Sequence, residues 1–391
     1  MTDTRVSSTG RWNRSASPSV VVVGASAAGL YTALLLAGRG LRVSVIDRAQ
    51  RPEMPARSLI VTSRLRRWLG DLTEPTLLNV IRRFELYADG RVATIPLRQP
   101  DLVIERSTLL RQLMKQASAV GAEMRFSTRF RRLRSAESGV ILDVDRSGCA
   151  ETIGAQTVVA ADGAFSQVAR QAGWPPLTTV SLIQARVKLP HGLAPDTARV
   201  WFCPEQTPFF YWLIPESAGQ GVLGIIGENG PQARRRLERF LDERGLEPME
   251  FQAARTPSYR GWVLPSRRVG GGEVFVVGDA AGHVKLTTVG GVVTGLRGAA
   301  GVAETIATGR FGPELRRLRR ELALHFLIHR SLRRFTQADY SLLLDLLGPR
   351  ARRVLATHTR DTAAAIMLRL CLTEPRLVLL GCRAFLTRAS Y

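Results

Sequence analysis

The sequence predicts an α/β fold in which a parallel core is interrupted by an antiparallel sheet and followed by a helical region. Three observations predict it. A strand–turn–helix–strand unit opens the ordered part of the chain, at residues 19–47. Residues 177–264 then become richer in aromatics and in period-two alternation, with SLIQARVKL, ARVWF, FFYWLIP and GVLGIIG as candidate strands. A second glycine-rich strand–loop–helix, Val274 to Gly295, returns the chain to the parallel core.

In chain order, residues 1–18 are polar, contain Gly and Pro and lack an apolar core, so they read as a disordered lead-in and not a signal peptide. Ser19 to Val23 is a β-branched apolar strand. Gly24-Ala25-Ser26-Ala27-Ala28-Gly29 is a turn, Leu30 to Gly38 a helix, and Leu41 to Ile46 a second strand ending at Asp47. This is a Rossmann-like dinucleotide fingerprint with Ser26 at the middle glycine. Gly24 permits the tight turn, small Ser26 admits a pyrophosphate, and Gly29 lets helix and strand pack closely. Asp47 is placed to accept from a ribose hydroxyl.

The arginine-rich, Pro-broken stretch from Arg48 to Leu69 reads as a loop and a short helix. Phe84 to Ile95 reads as a hairpin around Asp89-Gly90 that contributes to the second sheet. A strand ending near Arg106, a helix capped by Ser107 and a strand from Ala122 follow. Strands at 139–145 and 151–160 lead to an Asp162-Gly163 turn and another helix. One amphipathic helix, Pro231 to Arg244, interrupts the antiparallel region. The expected divisions are 19–176 for the first part of the core, 177–264 for the inserted sheet, 265–310 for the return segment and 311–391 for the helical region.

The return segment is the most chemically informative. Val274 to Val277 is a buried strand, Gly278 turns the backbone, and Asp279 stands at the exit. A carboxylate there suits a hydroxyl-rich ligand such as a ribityl chain. The helix that begins after Gly290 and Gly291, at Val292, offers backbone amides to anionic oxygens, whether a phosphate or a flavin carbonyl.

Composition narrows the class. No apolar run reaches the roughly 18 residues that span a bilayer. Cys149, Cys203, Cys371 and Cys382 show neither CxxC spacing nor a nearby His cluster, so no metal or disulfide framework is expected. Three lysines, Lys115, Lys188 and Lys285, leave arginine to carry the net charge of +22, and residues 310–391 hold sixteen arginines against six carboxylates. Without a zinc-finger or RNA-recognition motif, this points away from nucleic acid. Anionic lipid headgroups, a diphosphate-bearing substrate, or arginine spread over solvated faces account for it instead.

GASAAG with Asp47, then ADGAFSQVAR, then VFVVGDAAG, in that order, resemble the FAD-dependent oxidoreductases of the p-hydroxybenzoate hydroxylase fold. Within them the sequence is most similar to the geranylgeranyl reductase family, whose last motif GDAAG-x-V-K-P-T-T-G-G-G is met by GDAAGHVKLTTVGG. FFYWLIP resembles that family's aromatic-x-Trp-x-aromatic-Pro signature in the substrate domain. The resemblance implies FAD held by Gly24, Ser26, Ala28, Gly29, Asp47, Arg48, Arg106, Asp162, Gly163, Gly278, Asp279, Gly290, Gly291 and Val292. Asp162-Gly163 lies in a motif that also meets a pyridine nucleotide in relatives. Leu286 replaces that family's proline and Val289 its first glycine, and a branched Val289 beside the ring narrows the space above it.

Phe210 and Trp212 share one face of a strand, as substrate lining or as core; Leu286 and Val289 join them in the expected substrate site. His283 is a candidate for handling a proton, and Lys285 for steadying a reduced, anionic flavin. His325 and His329 match a metal pair in spacing only. The expected activity is reduction of C=C bonds in a prenyl or meroterpenoid chain by hydride from reduced FAD. NAD(P)H, or a separate flavin reductase or ferredoxin-type donor, would supply the electrons. The alternatives are an FAD monooxygenase acting on an apolar natural product and an FAD-containing non-redox cyclase. A cytoplasmic protein with a peripheral membrane contact through its basic helices completes the expectation.

Overall fold

The computed structural model describes residues 19–50 and 56–386, so the lead-in expected at 1–18 lies outside the described residues. Val20–Val23 is a run of valines with every side chain buried. Such a strand has no wet face and needs cover on both sides. It sits inside a six-stranded sheet ordered Ser266–Val269, Gly272–Val276, Thr157–Ala160, Val20–Val23, Val43–Ile46, Glu123–Arg125. Neighbours are parallel except the first pair. Val20 and Val22 face a core shared with helices Ala27–Ala37, Arg106–Ala119 and Val292–Thr308. Val21 and Val23 face the other way, onto Val140, Leu142 and Ile153 of a three-stranded sheet, Thr128–Ala136, Gly139–Arg146 and Cys149–Ala155.

An eight-stranded sheet is ordered Pro248–Pro257, Thr179–Lys188, Gln220–Gly227, Tyr211–Pro215, Thr197–Trp201, Leu77–Ala88, Arg91–Glu105, Ser58–Val61. All its pairs are antiparallel but one, Thr197–Trp201 beside Leu77–Ala88. Alternation along Tyr211–Pro215 assigns the faces. Tyr211 and Leu213 pack on Leu237, Phe240 and Leu241 of helix Gly230–Asp242. Trp212 and Ile214 pack on Val284 and Val289 of the loop that leaves the six-stranded sheet.

Four expectations need correction. The hairpin around Asp89-Gly90 runs from Leu77 to Glu105, far beyond 84–95, with register shifts that let its strands bend. Ser58–Val61 is a strand within the stretch read as loop and helix, too short between arginines to show alternation. The segment 151–160 is two strands in two different sheets, Cys149–Ala155 and Thr157–Ala160. Helix Arg106–Ala119 is capped by Glu105 and not Ser107, because the longer carboxylate reaches the amides of both Ser107 and Thr108.

Five helices finish the described chain: Pro313–Leu332, Gln337–Leu346, Pro349–Thr357, Ala363–Thr373 and Pro375–Leu386. Phe335, Tyr340, Leu344, Leu347 and Ala351 bury Ala88, Ala93 and Ile95 of the long hairpin. Thr336 and Asp339 form a reciprocal capping box that fixes where the second of these helices begins. None of the described helices is long and apolar enough to cross a membrane.

Candidate FAD site

The first glycine turn is built by close approach. Gly24 has φ +107°, and a methyl there would stand 2.5 Å from the Ala161 carbonyl oxygen. Ser26 caps helix Ala27–Ala37, its hydroxyl accepting from Gly29 N at 3.2 Å. Asp47 accepts from Ala25 N at 2.7 Å and from Ala49 N at 2.8 Å, so its carboxylate braces the turn as well as marking the strand's end. Arg48 is exposed beside it. Ala28 is buried and joins the two distant motifs: a methyl on Gly278, which has φ +59°, would lie 2.9 Å from the Ala28 Cβ.

Asp279 follows in a short 3-10 turn, Gly278–Ala281, and a methyl on Gly291 would sit 3.3 Å from its Oδ1. The carboxylate therefore lies at the mouth of helix Val292–Thr308, whose cap residue Gly291 supplies no side-chain hydrogen bond. Open amides at a helix start and a desolvated carboxyl make a site for a ligand with both acceptor and donor oxygens. Burial pushes the Asp279 carboxyl up to about 6, with the Arg106 guanidinium opposing the rise.

Arg106 has a neighbour that the sequence did not single out. Strand Ser58–Val61 pairs with Arg91–Glu105, and Arg106 N donates to the Arg57 carbonyl at 2.9 Å. Both guanidiniums are partly buried. Desolvation and the charge of Arg106 bring Arg57 down to about 10, and desolvation likewise lowers Arg106. Arg57 Nε has no hydrogen-bond partner among the described residues. Two desolvated guanidiniums side by side suit an anion, and a diphosphate would offer oxygens to both. Glu105 fixes the pair. It accepts from Arg57 N at 3.2 Å and from Ser107 N and Thr108 N at 2.9 and 2.6 Å. Burial would raise its carboxyl, but the bonds from Ser107 and Thr108 bring it to about 2. The residues present thus fit FAD: a cradle for its diphosphate, a carboxyl for its ribityl hydroxyls and amides for its ring carbonyl.

Asp162 accepts from the Ser166 hydroxyl and from Gln167 N at 2.8 Å, and Ser166 caps helix Gln167–Gln171, its hydroxyl accepting from Ala169 N at 2.9 Å. Burial raises its carboxyl against those bonds. Gly163 has φ +88° with open space where a methyl would go.

Residues 283–291 carry the remaining candidates in four directions. Val289 has φ +49°, a conformation that costs a β-branched residue about 1–3 kcal/mol, and its side chain is buried with Trp212, Ile214 and Phe209. Phe210 meets Trp212 edge-on at 6.2 Å between ring centres, so Phe210, Trp212 and Val289 share one apolar site. Leu286 does not join them. It packs on Tyr259, Leu318 and Leu322, which makes it an anchor for helix Pro313–Leu332 and not part of the expected substrate lining. His283 is also turned away. It stacks on Trp262 at 5.8 Å under Gly298, and burial, then Arg297, lower its imidazole to about 3. Lys285 is buried in an ion pair with Asp361. Among the described residues no group of three His, Cys, Asp or Glu side chains is placed to hold a metal ion.

Comparison with known proteins agrees with this geometry. The profile of the FAD binding domain family matches residues 17–73 and 98–310. Digeranylgeranylglycerophospholipid reductase 2 of Methanothermobacter thermautotrophicus is 30% identical over 49% of this chain, a match spanning only about half (51%) of that protein's length. Digeranylgeranylglycerophospholipid reductase of Methanococcus vannielii is 27% identical over 70% of this chain and 72% of its own. A geranylgeranyl bacteriochlorophyll reductase-like protein from Thermoplasma acidophilum superposes with a TM-score of 0.77 at 18% identity, over 94% of this chain and 99% of that one. The chain belongs to the FAD binding domain family and is an FAD-dependent oxidoreductase with the fold of a geranylgeranyl reductase-like protein.

Proposed function

We propose that the protein reduces C=C bonds of an isoprenoid chain. One observation carries the reading: opposite residues 284–291 the sheet carries an apolar cluster, Ile81, Val103, Phe209, Trp212, Ile214 and Val222, packed against Val284 and Val289. A polyprenyl chain has no polar group to present to such a wall, and the wall has none to leave unpaired. The resemblance to two digeranylgeranylglycerophospholipid reductases supports the same substrate class.

Bound FAD, when reduced, would supply the hydride to one alkene carbon, and a proton from solvent would add at the neighbouring carbon. The chain's own residues bind, orient and exclude water. The turn at residues 24–29, Arg57 and Arg106 would hold the diphosphate, Asp279 would accept from the ribityl chain, and the amides after Gly291 would donate to the pyrimidine carbonyl. Phe210 and Trp212 would line the apolar side of the site and keep water from the alkene. His283, neutral and stacked on Trp262, is left out of proton delivery. NAD(P)H acting transiently, or a flavin reductase or ferredoxin-type donor, furnishes the electrons. The test is anaerobic incubation of reduced enzyme with geranylgeranyl lipids. Products that gain hydrogen in pairs support the reading, whereas turnover that requires and consumes oxygen would assign a monooxygenase instead.

Such a substrate lives in a bilayer, and helices Ala363–Thr373 and Pro375–Leu386 supply a docking face. Leu368, Leu372 and Leu379 are 65, 78 and 66% exposed, an unusual display for leucine, and Arg369 and Arg376 are exposed between them. Leucine flanked by arginine suits an anionic lipid surface.

A further inference from the structure

Lys285 and Asp361 form a buried ion pair whose side chains are 6 and 0% exposed. Two charges taken out of water gain little net stability from each other, so the pair calls for a reason beyond holding the fold together. Asp361 lies between helices Pro349–Thr357 and Ala363–Thr373, far from the glycine motifs in sequence. It also accepts from the Thr62 hydroxyl, and its backbone carbonyl accepts from Arg64 at 3.0 Å. Next to it, Arg360 pairs with Asp101, on the strand that leads directly to Glu105 and Arg106. One short C-terminal segment is thus tied to both halves of the FAD site.

At the other end of the pair, Lys285 closes the loop. Its amide donates to the Gly290 carbonyl at 3.2 Å, and the two residues form an isolated bridge around 286–289. Within that closed turn Val289 is held at φ +49°. The turn's own hydrogen bonds, Lys285 N to the Gly290 carbonyl and Thr288 N to the Lys285 carbonyl at 3.4 Å, set this path, but a β-branched residue is strained on it, so the surroundings must hold the turn closed. Leu286 and Thr287 are gripped by helix Pro313–Leu332, through Leu318, Leu322 and a hydrogen bond to His325 at 2.6 Å. The lysine end is gripped by Asp361.

We infer that Asp361 is a positioning residue for the loop Val284–Gly291: by holding the Lys285 ammonium it keeps Val289 in its left-handed turn and presents Gly290 and Gly291 to the flavin. The C-terminal helical region is then a structural part of the cofactor site. The inference rests on the placement of the flavin ring proposed above.

Two variants and a rescue test it, read by titrating FAD-free protein with FAD and by the visible spectrum of the bound flavin. Asp361→Asn leaves Lys285 buried without its counter-charge. The paired change Lys285→Met with Asp361→Leu removes both charges, so no buried ion is left unpaired and only the Thr62 hydroxyl loses its acceptor. Both are expected to weaken FAD binding by about ten-fold or more and to shift the flavin spectrum. Adding Val289→Gly to Asp361→Asn is expected to recover part of the affinity, since glycine adopts the turn unaided. Wild-type affinity and spectrum in the paired variant overturn the inference, even where Asp361→Asn alone is impaired. Wild-type protein that takes up no flavin overturns the ring placement and this inference together; uptake by wild type with no loss in either variant overturns the role of Asp361 alone.

Discussion

Asp279 and Arg106 come from opposite ends of the FAD domain, yet the Arg106 guanidinium is the charge that opposes the burial of the Asp279 carboxyl. Burial is the stronger influence and lifts that carboxyl from 3.8 to about 6. A carboxyl raised in the folded state favours folding when protonated. Its contribution is fully present below 3.8 and is lost as pH rises through about 6. Denaturant unfolding of FAD-free wild type and Asp279→Asn across this window checks it. Wild type is expected to lose stability relative to the variant as pH rises, then run parallel to it above the window. His283, lowered to about 3, changes with the opposite sign and is common to both proteins, so it cancels in the comparison.

Arg57 and Arg106 make a second, two-sided prediction. Their mutual repulsion in the FAD-free protein means that Arg57→Gln is expected to leave thermal stability unchanged or raised. The same variant loses a charge-assisted contact to the diphosphate, so FAD affinity is expected to fall about ten-fold to a hundred-fold. Thermal melts of FAD-free protein and flavin titrations, run side by side, separate the two. A variant that melts early and still binds FAD normally would make Arg57 a structural residue.

The glycine motifs were legible in the sequence because each requirement is local. Gly24 and Gly278 need positive φ, Ser26 needs to be small and able to cap, and Asp279 needs only to follow a buried strand. Arg57 was not legible. It is one arginine among several, and only the pairing of Ser58–Val61 with Arg91–Glu105 sets it beside Arg106. Asp361 shows the same limit at longer range, since nothing near it in sequence advertises a buried lysine as its partner. Leu286 and His283 failed in the converse way. A loop residue's neighbours in sequence do not say which way it points, and both point away from the apolar face that Val289 fills.

The docking face predicts salt-sensitive binding. FAD-loaded protein is expected to sediment with phosphatidylglycerol vesicles at low salt, less so at high salt, and little with phosphatidylcholine. Replacing Leu368, Leu372 and Leu379 together by serine is expected to reduce partitioning about ten-fold or more, as each partly buried leucine contributes to insertion. Because these side chains are already largely in water, the melting temperature is expected to stay put. No partitioning even at low salt, or partitioning unaffected by the triple change, would remove the bilayer as the occupant of this face.

Gly224 tests the apolar wall itself. It stands opposite Trp212 in the antiparallel pair Tyr211–Pro215 and Gln220–Gly227, and a methyl at Gly224 would overlap the six-membered ring of the indole. The indole is a rigid plate packed with Phe210 and Val289 on the same face, so it cannot yield by rotating one bond. Gly224→Ala is expected to cost about 1–3 kcal/mol through overpacking and to push Trp212 toward the flavin loop. Gly219→Ala is the control, since a methyl there meets nothing within 4 Å. Tryptophan fluorescence and flavin absorbance, recorded while a geranylgeranyl lipid is titrated into both variants, read the consequence. Gly219→Ala is expected to behave as wild type; Gly224→Ala, loaded with FAD, is expected to lose the lipid-induced change in flavin absorbance. An unchanged lipid response in Gly224→Ala would mean that the chain does not run along Trp212.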